Sequence, residues 1–311
     1  MNHYYIYNLQ LSTHLNLPLP LAPQPNGQTD LFLTQEELPE KTDKTLVAVR
    51  DVAGFQRSEI YQMPDGNFAT YVYRENNCSL YVKNGQELII HPEMNLENNK
   101  EHFVFFMHIA FSSLLYQRHY LLFHGSAIAY KGKGYIFVGH SGAGKSTIAS
   151  SLLQQGGRFL ADDICFVFAK DHRYYVSPSY NFTKLTPTTF NKFQPVNRFF
   201  TDYSLLEEGK FLCQLHPNYL SSTPVELTKI FHVSIDNQKE THVKALKGMD
   251  ALQRLLHNAA RPDGLKLYNM ENDFYKDCFL LNTHLKVLDI YRKHDEFIAP
   301  EVIQFLDQSA N

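Results

Sequence analysis

Tyr135-Ile136-Phe137-Val138, then Gly139-His140-Ser141-Gly142-Ala143-Gly144-Lys145-Ser146, then Thr147-Ile148-Ala149-Ser150-Ser151-Leu152-Leu153 is the stretch that decides how this chain folds. A β-branched and aromatic run enters a full Walker A loop, and Ile148, Ala149, Leu152 and Leu153 fall on one face of the helix that follows. Gly156-Gly157 predicts the end of that helix. Strand, glycine loop and helix in this order turn successive backbone N–H groups, and the positive end of the helix dipole, toward a phosphate. Residues Gly139, His140, Ser141, Gly142, Ala143, Gly144, Lys145, Ser146 and Thr147 are therefore the candidate nucleotide-binding set. Within it the Lys145 ammonium suits the β- and γ-phosphates of ATP, and the Ser146 hydroxyl suits Mg²⁺.

Working outward, Leu121-Leu122-Phe123-His124-Gly125-Ser126-Ala127-Ile128-Ala129 and the turn Lys131-Gly132-Lys133-Gly134 predict a hairpin leading into the loop. Downstream, Arg158-Phe159-Leu160-Ala161-Asp162-Asp163 puts two adjacent carboxylates at the end of a short apolar strand, the position of a Walker B acid. One carboxylate there can hold Mg²⁺, directly or through water, and the other can accept a proton from an attacking hydroxyl. Spacing alone leaves open which acid does which, because adjacent strand residues point to opposite faces. Ile164–Phe168 and Tyr174–Val176, around Lys170-Asp171-His172-Arg173, predict a further hairpin.

The first hundred residues alternate short apolar runs, such as 70–73 and 80–82, with turn signals at Asp65-Gly66 and Asn84-Gly85, after a proline-rich loop over 18–27. They predict a β-rich N-terminal domain over 1–100, a candidate for acceptor recognition, and an α/β catalytic domain over 101–311 that opens with a buried helix near Phe103–Tyr116. That helix is interrupted by His108, Ser112 and Ser113 and is too short for a bilayer, so no membrane association is expected. A net charge of −3 with scattered basic residues argues against a nucleic-acid partner. Cys78, Cys165, Cys213 and Cys278 form no CxxC pair, and residues 1–11 do not read as an export signal; both point to a cytoplasmic protein with reduced thiols. The fifteen histidines show no zinc-ligand spacing.

His124-Gly125, the Gly139–Ser146 loop and Ala161-Asp162-Asp163 together resemble the catalytic core of the HPr kinase/phosphorylase family, whose fold is related to phosphoenolpyruvate carboxykinase. His124 lies 21 positions before Lys145, and Asp163 lies 18 after it, which is that family's spacing. The resemblance implies a P-loop α/β (α+β) kinase fold using ATP and Mg²⁺, with Lys145 on the phosphates, Asp163 as proton acceptor, Asp162 serving the metal or orienting its neighbour, and His124 beside the γ-phosphate. Over nearly its whole length the chain is similar to HPr-kinase-related proteins found beside peptide natural-product genes, including lasso-peptide tailoring kinases. That resemblance implies a serine of a peptide or small protein as acceptor. The chain has His140 where HPr kinases carry an acidic residue, and the stretch 176–187 lacks their Glu-x-Arg-Gly signature. Both departures point away from HPr itself and from phosphorylase activity.

Phosphoryl transfer also calls for positive charge around the transferring group. Lys184, and Arg261 in the loop Ala259–Gly264, are the candidates. The stretch 197–217 lacks periodicity and is read as an irregular lid or acceptor-binding loop. The alternatives are an ATP-binding regulatory protein without transfer, an ATPase, and a phosphoenolpyruvate-carboxykinase-like enzyme. Self-association is left open.

Overall fold

The computed structural model describes residues 1–21, 29–40, 44–52, 55–72, 77–193, 199–237, 242–294 and 296–308. The chain forms two compact units, Met1–Tyr120 with Asp263–Met270, and Leu121–Pro262 with Glu271–Asn311.

The first unit is β-rich, as its alternating runs predict. Its strands are β1 (Asn2–Ile6), β2 (Leu9–Thr13), β3 (Leu31–Gln35), β4 (Thr45–Val52), β5 (Phe55–Gln62), β6 (Phe68–Val72), β7 (Leu80–Lys83) and β8 (Glu87–Ile90). They form one sheet in the order β1-β2-β3-β8-β7-β6-β5-β4. Asp65-Gly66 and Asn84-Gly85 make the turns between β5 and β6 and between β7 and β8, as expected; residues 22–28 of the proline-rich stretch and Tyr73 lie outside the described residues.

Helix α1 (Lys100–Gln117) starts where the Asn99 side chain accepts from the backbone N–H groups of Glu101 and His102. It is apolar on nearly every face and buried, the expected state for such a helix. It packs on β7, so the boundary between units falls at 120/121 rather than 100/101. Residues 263–270 join this unit through Tyr268, whose ring meets Phe68 edge-on at 5.0 Å between centroids, and through Gly264, which lies against the ring of Tyr116.

The second unit is α/β. Its strands are β9 (Leu121–Phe123), β10 (Gly125–Tyr130), β11 (Lys133–Val138), β12 (Arg158–Asp162), β13 (Cys165–Lys170), β14 (Arg173–Val176), β15 (Phe182–Leu185), β16 (Phe200–Leu205), β17 (Phe211–Leu215), β18 (Val225–Ile235), β19 (His242–Ala245) and β20 (Lys286–Arg292). Its helices are α2 (Lys145–Gln154), α3 (Pro187–Phe193), α4 (Gly248–Leu256), α6 (Glu271–His284) and α7 (Ala299–Gln308), while α5 (Pro262–Leu267) carries the chain from Pro262 into the first unit. The main sheet runs β12-β10-β11-β18-β14-β13-β9, with β20 beside β18 and β19 beside β20. At its centre β11, β18 and β20 are parallel. Their apolar runs are buried: Phe137 stacks on Phe231 at 5.2 Å, in a core that also takes Ile148, Leu152 and Leu153 from α2 and Val302 and Leu306 from α7.

The expected hairpins form as β10–β11 and β13–β14. The stretch 197–217 does not match its reading as irregular chain. Residues 194–198 lie outside the described residues, but β16 and β17 pair as a hairpin, and β17 also pairs with β15 in a three-stranded sheet. No period shows in the sequence because β16 is exposed over most of its length, so neither of its faces demands apolar residues.

Among the described residues no helix is long and apolar enough to cross a membrane, and all four cysteines are buried and form no disulfide.

Candidate active site

The phosphate-type loop owes its shape to where β11 ends. Gly139 has φ +135°, and a Cβ there would come within 2.3 Å of the Val233 carbonyl oxygen on β18. No other residue fits. The strand can therefore turn away from its parallel neighbour directly into the loop, and Gly144, at φ +106°, caps the start of α2. Changing Gly139 to alanine is expected to cost about 1–3 kcal/mol and to weaken nucleotide binding, read as a fall in melting temperature together with lost affinity for a fluorescent ATP analogue. An alanine variant with unchanged affinity would show that the loop's entry is not constrained in this way.

Lys145 is buried and folds back on the loop, its Nζ donating to the carbonyls of Gly139 (2.8 Å) and His140 (3.0 Å). Burial pulls its ammonium below the ordinary lysine range, with the charges of Asp162 and Asp163 opposing. The guanidinium of Arg292, the last residue of β20, clamps the outer side of the loop by donating to Ala143 O (2.7 Å) and Gly142 O (3.0 Å), while its Nη1 donates to the carbonyls of Lys293, His294 and Glu296. Nothing in the sequence marks Arg292 for this role.

The two acids are sorted by a backbone feature that spacing does not reveal. Asp162 is the last residue of β12 and is fully buried, whereas Asp163 leaves the strand at φ +67°, in the left-handed region. Asp162 Oδ1 accepts from Ser126 Oγ at 2.6 Å and from Ser146 Oγ at 3.3 Å. Its Oδ2 accepts from Thr183 Oγ1 at 2.7 Å and from the Lys184 N–H at 3.1 Å. Burial, and then the charge of Asp163, raise its pKa above the usual carboxylate value, against the pull of these donors.

Asp163 instead meets the Lys184 ammonium at 3.3 Å, and Lys184 also meets Glu208 at 3.4 Å, in the turn of the β16–β17 hairpin. Burial opposes the charged form of Lys184, but the two carboxylates outweigh it and its pKa is raised. His124 is mostly buried, and burial lowers its pKa, so the imidazole is neutral near pH 7. Its Nδ1 lies 3.1 Å from the Asp163 carbonyl oxygen. A carbonyl can only accept, so the ring proton sits on Nδ1.

Two cavities meet at this loop. One, of about 570 Å³, is lined by Ser141, Gly142, Gly144, Lys145, Ser146 and Thr147, by Asp162, Asp163 and His124, and by the cations Lys184, Lys192, Lys210 and Arg292. Thr147 also reaches Thr189 of α3 through a hydroxyl contact of 2.8 Å. The second cavity, of about 870 Å³, takes Gly139, His140 and Ala143 from the loop's other side and shares Ser141 and His124 with the first. Arg261 lines the second cavity, apart from Lys184 in the first, so the two candidate cations are not brought together. Ser126 and Thr183 were missed by sequence reasoning. Their one signal is strand position: Ser126 pairs directly opposite Asp162 in the β10–β12 ladder.

β11 thus ends in a glycine loop that opens α2, with the strand-end acid Asp162 facing the loop serine Ser146. No family model matches the chain. A stretch of 49 residues, 16% of this chain and 15% of the relative, is 49% identical to an HPr kinase/phosphorylase of Lactobacillus acidophilus. A stretch of 52 residues, 17% of this chain and 15% of the relative, is 40% identical to an HPr kinase/phosphorylase of Chloroherpeton thalassium. The match thus spans about 15% of the length of these curated relatives. The solved HPr(Ser) kinase/phosphatase of Coxiella burnetii overlays with a TM-score of 0.32 at 11% identity, covering 61% of this chain and 89% of that one.

Proposed function

We propose that the protein is an ATP- and Mg²⁺-dependent kinase that transfers the γ-phosphate to a hydroxyl, that of a serine in a peptide or small protein of the lasso-peptide precursor kind. The observation that carries this reading is the division of labour between the two acids: Asp162 faces the loop serine, and Asp163 stands at the cleft wall beside a lysine. The short, strong identity to two HPr kinase/phosphorylases supports it.

The residues fit a magnesium nucleotide. Ser146 Oγ and the Asp162 carboxylate are hard oxygen donors 3.3 Å apart. A magnesium ion there would take its remaining ligands from water and phosphate. Magnesium bound there with ATP would neutralise charge on the β- and γ-phosphates.

The chain's own groups do the rest. Lys145, now satisfied by two loop carbonyls, turns its ammonium to the phosphates when they enter, and the N–H groups at the start of α2 add partial positive charge. Lys184 and Lys210 line the same cavity and would offset charge growing on the transferred group's equatorial oxygens. Asp163 takes the proton from the acceptor hydroxyl as its oxygen attacks phosphorus and the bond to the ADP oxygen breaks. Lys184 steadies the Asp163 carboxylate for this role. A cytoplasmic setting suits the four buried thiols.

The test is incubation of the full chain with γ-labelled ATP, Mg²⁺ and precursor peptides encoded near its gene, with mass spectrometry to find added phosphate. Phosphate on a peptide serine supports the reading. Bound nucleotide with no labelled peptide, or release of inorganic phosphate alone, overturns it in favour of a binding protein or an ATPase.

A further inference from the structure

The two cavities at the loop differ in charge. In the second, Arg254 is held by Asp289 Oδ2 at 3.2 Å, which also accepts from the Tyr291 hydroxyl at 2.9 Å, while Asp289 Oδ1 lies 2.8 Å from His232 Nδ1. Arg261, the other arginine in that lining, is offset by Asp236. The first cavity is lined by five cations, Lys145, Lys184, Lys192, Lys210 and Arg292, against three acids, Asp162, Asp163 and Glu296. It is the first that matches a triphosphate chain, and its volume of about 570 Å³ falls in the range of sites that enclose a whole small molecule.

Apolar residues in this first cavity are few. Ile148 comes from the start of α2, and Phe297, Ile298 and Ala299 come from the stretch between β20 and the start of α7. Among the described residues Phe297 is the only Phe, Tyr or Trp in the lining, and it is 37% exposed. A nucleotide has one flat aromatic part, and this ring is the one surface of matching chemistry that the lining offers it.

Two sets of contacts bring Phe297 to the phosphate loop. Arg292 donates from Nε and Nη2 to the carbonyls of Ala143 and Gly142, and from Nη1 to those of Lys293, His294 and Glu296, so one guanidinium fastens the chain just before Phe297 to the loop. From the other side, the Thr147 hydroxyl meets that of Thr189 on α3 at 2.8 Å. Lys192, three residues further along α3, lays its ammonium over the Phe297 ring. The start of α2, α3 and Phe297 are thereby joined around one cavity.

We propose that Phe297 is the platform on which the adenine base of ATP stacks, with the triphosphate running from it to Lys145. The inference rests on the kinase reading and deepens it by assigning the base end of the nucleotide. The entering base displaces the Lys192 ammonium from the ring, and phosphate oxygens in the same cavity offer that ammonium a stronger partner than a ring face.

The test is calorimetric titration of the full chain with ATP and, separately, with inorganic tripolyphosphate, each with Mg²⁺. Tripolyphosphate carries the charge of the nucleotide without its base. Phe297→Ala and Phe297→Leu should each weaken ATP by about tenfold, the scale of one lost base–aromatic stack, and leave tripolyphosphate unchanged. Phe297→Tyr, which keeps a π-face, should bind both as the parent does. Leucine keeps the apolar bulk, so it separates stacking from packing and keeps the test decisive should the alanine variant unfold.

ATP affinity unchanged in Phe297→Leu would overturn the proposal. So would an equal loss for ATP and tripolyphosphate, which would make the ring a support for the loop and not a platform for the base. ATP binding that depends on Phe297 in a chain that transfers no phosphate would remove the kinase reading and leave the platform standing. A parent chain that binds neither ligand would overturn both.

Discussion

Asp163→Asn is expected to lower phosphoryl transfer by about 10²–10⁴-fold, the range that general-base catalysis supplies, and to leave nucleotide affinity unchanged. Asparagine is the informative choice because of the backbone. Asp163 sits at φ +67°, which asparagine tolerates and most residues do not, so the substitution changes basicity with little strain. The amide is close in shape to the carboxylate, so Lys184 keeps a neighbouring oxygen at the same place and retains Glu208 as a counter-ion. Asp162, with its four donors, is untouched. Transfer measured in a single turnover, beside direct titration of the ATP analogue, separates proton acceptance from binding. A variant that transfers phosphate at the normal rate would remove Asp163 from the role of base.

What the sequence disclosed and what it withheld divide along a physical line. The Walker loop is legible because its requirements are local: glycines at a positive φ and against a neighbouring backbone, then an amphipathic helix directly after. The β10–β11 and β13–β14 hairpins are legible for the same reason, since each is closed by its own turn. The pair Asp162-Asp163 is visible, but the division between them is not, because it depends on Asp163 leaving the strand in a left-handed turn rather than continuing the pleat.

The network around Asp289 cannot be read at all. His232 and Asp289 meet because β18 and β20 pair in parallel with those two residues in register, and Arg254 reaches them from α4. Two parallel strands carry no turn signal that fixes their offset, so no local pattern announces the meeting. Thr183 reaches Asp162 in the same non-local way, and Arg292 reaches the loop from a strand 149 positions away in sequence. The hairpin over 200–215 stayed hidden because an exposed edge strand needs no apolar face.

Lys145→Ala is expected to have a broader effect than Asp163→Asn, with loss of both nucleotide affinity and transfer. Removing one preorganised donor from a developing charge costs about 10²–10³-fold in turnover, and Lys145 is the buried cation at the loop itself. A second consequence follows from its present partners. The ammonium holds the Gly139 and His140 carbonyls at 2.8 and 3.0 Å, so the alanine variant also loses a tie across the loop and should melt at a lower temperature. Lys145→Arg discriminates between the two consequences. It keeps the charge, but its larger planar head is not equivalent to an ammonium in the narrow space between the loop carbonyls and Asp162. If arginine restores nucleotide affinity without restoring transfer, charge serves binding and the compact ammonium serves the reaction. Should the alanine variant bind and transfer as the parent does, the loop would not be the phosphate site, and the kinase assignment would fall with it.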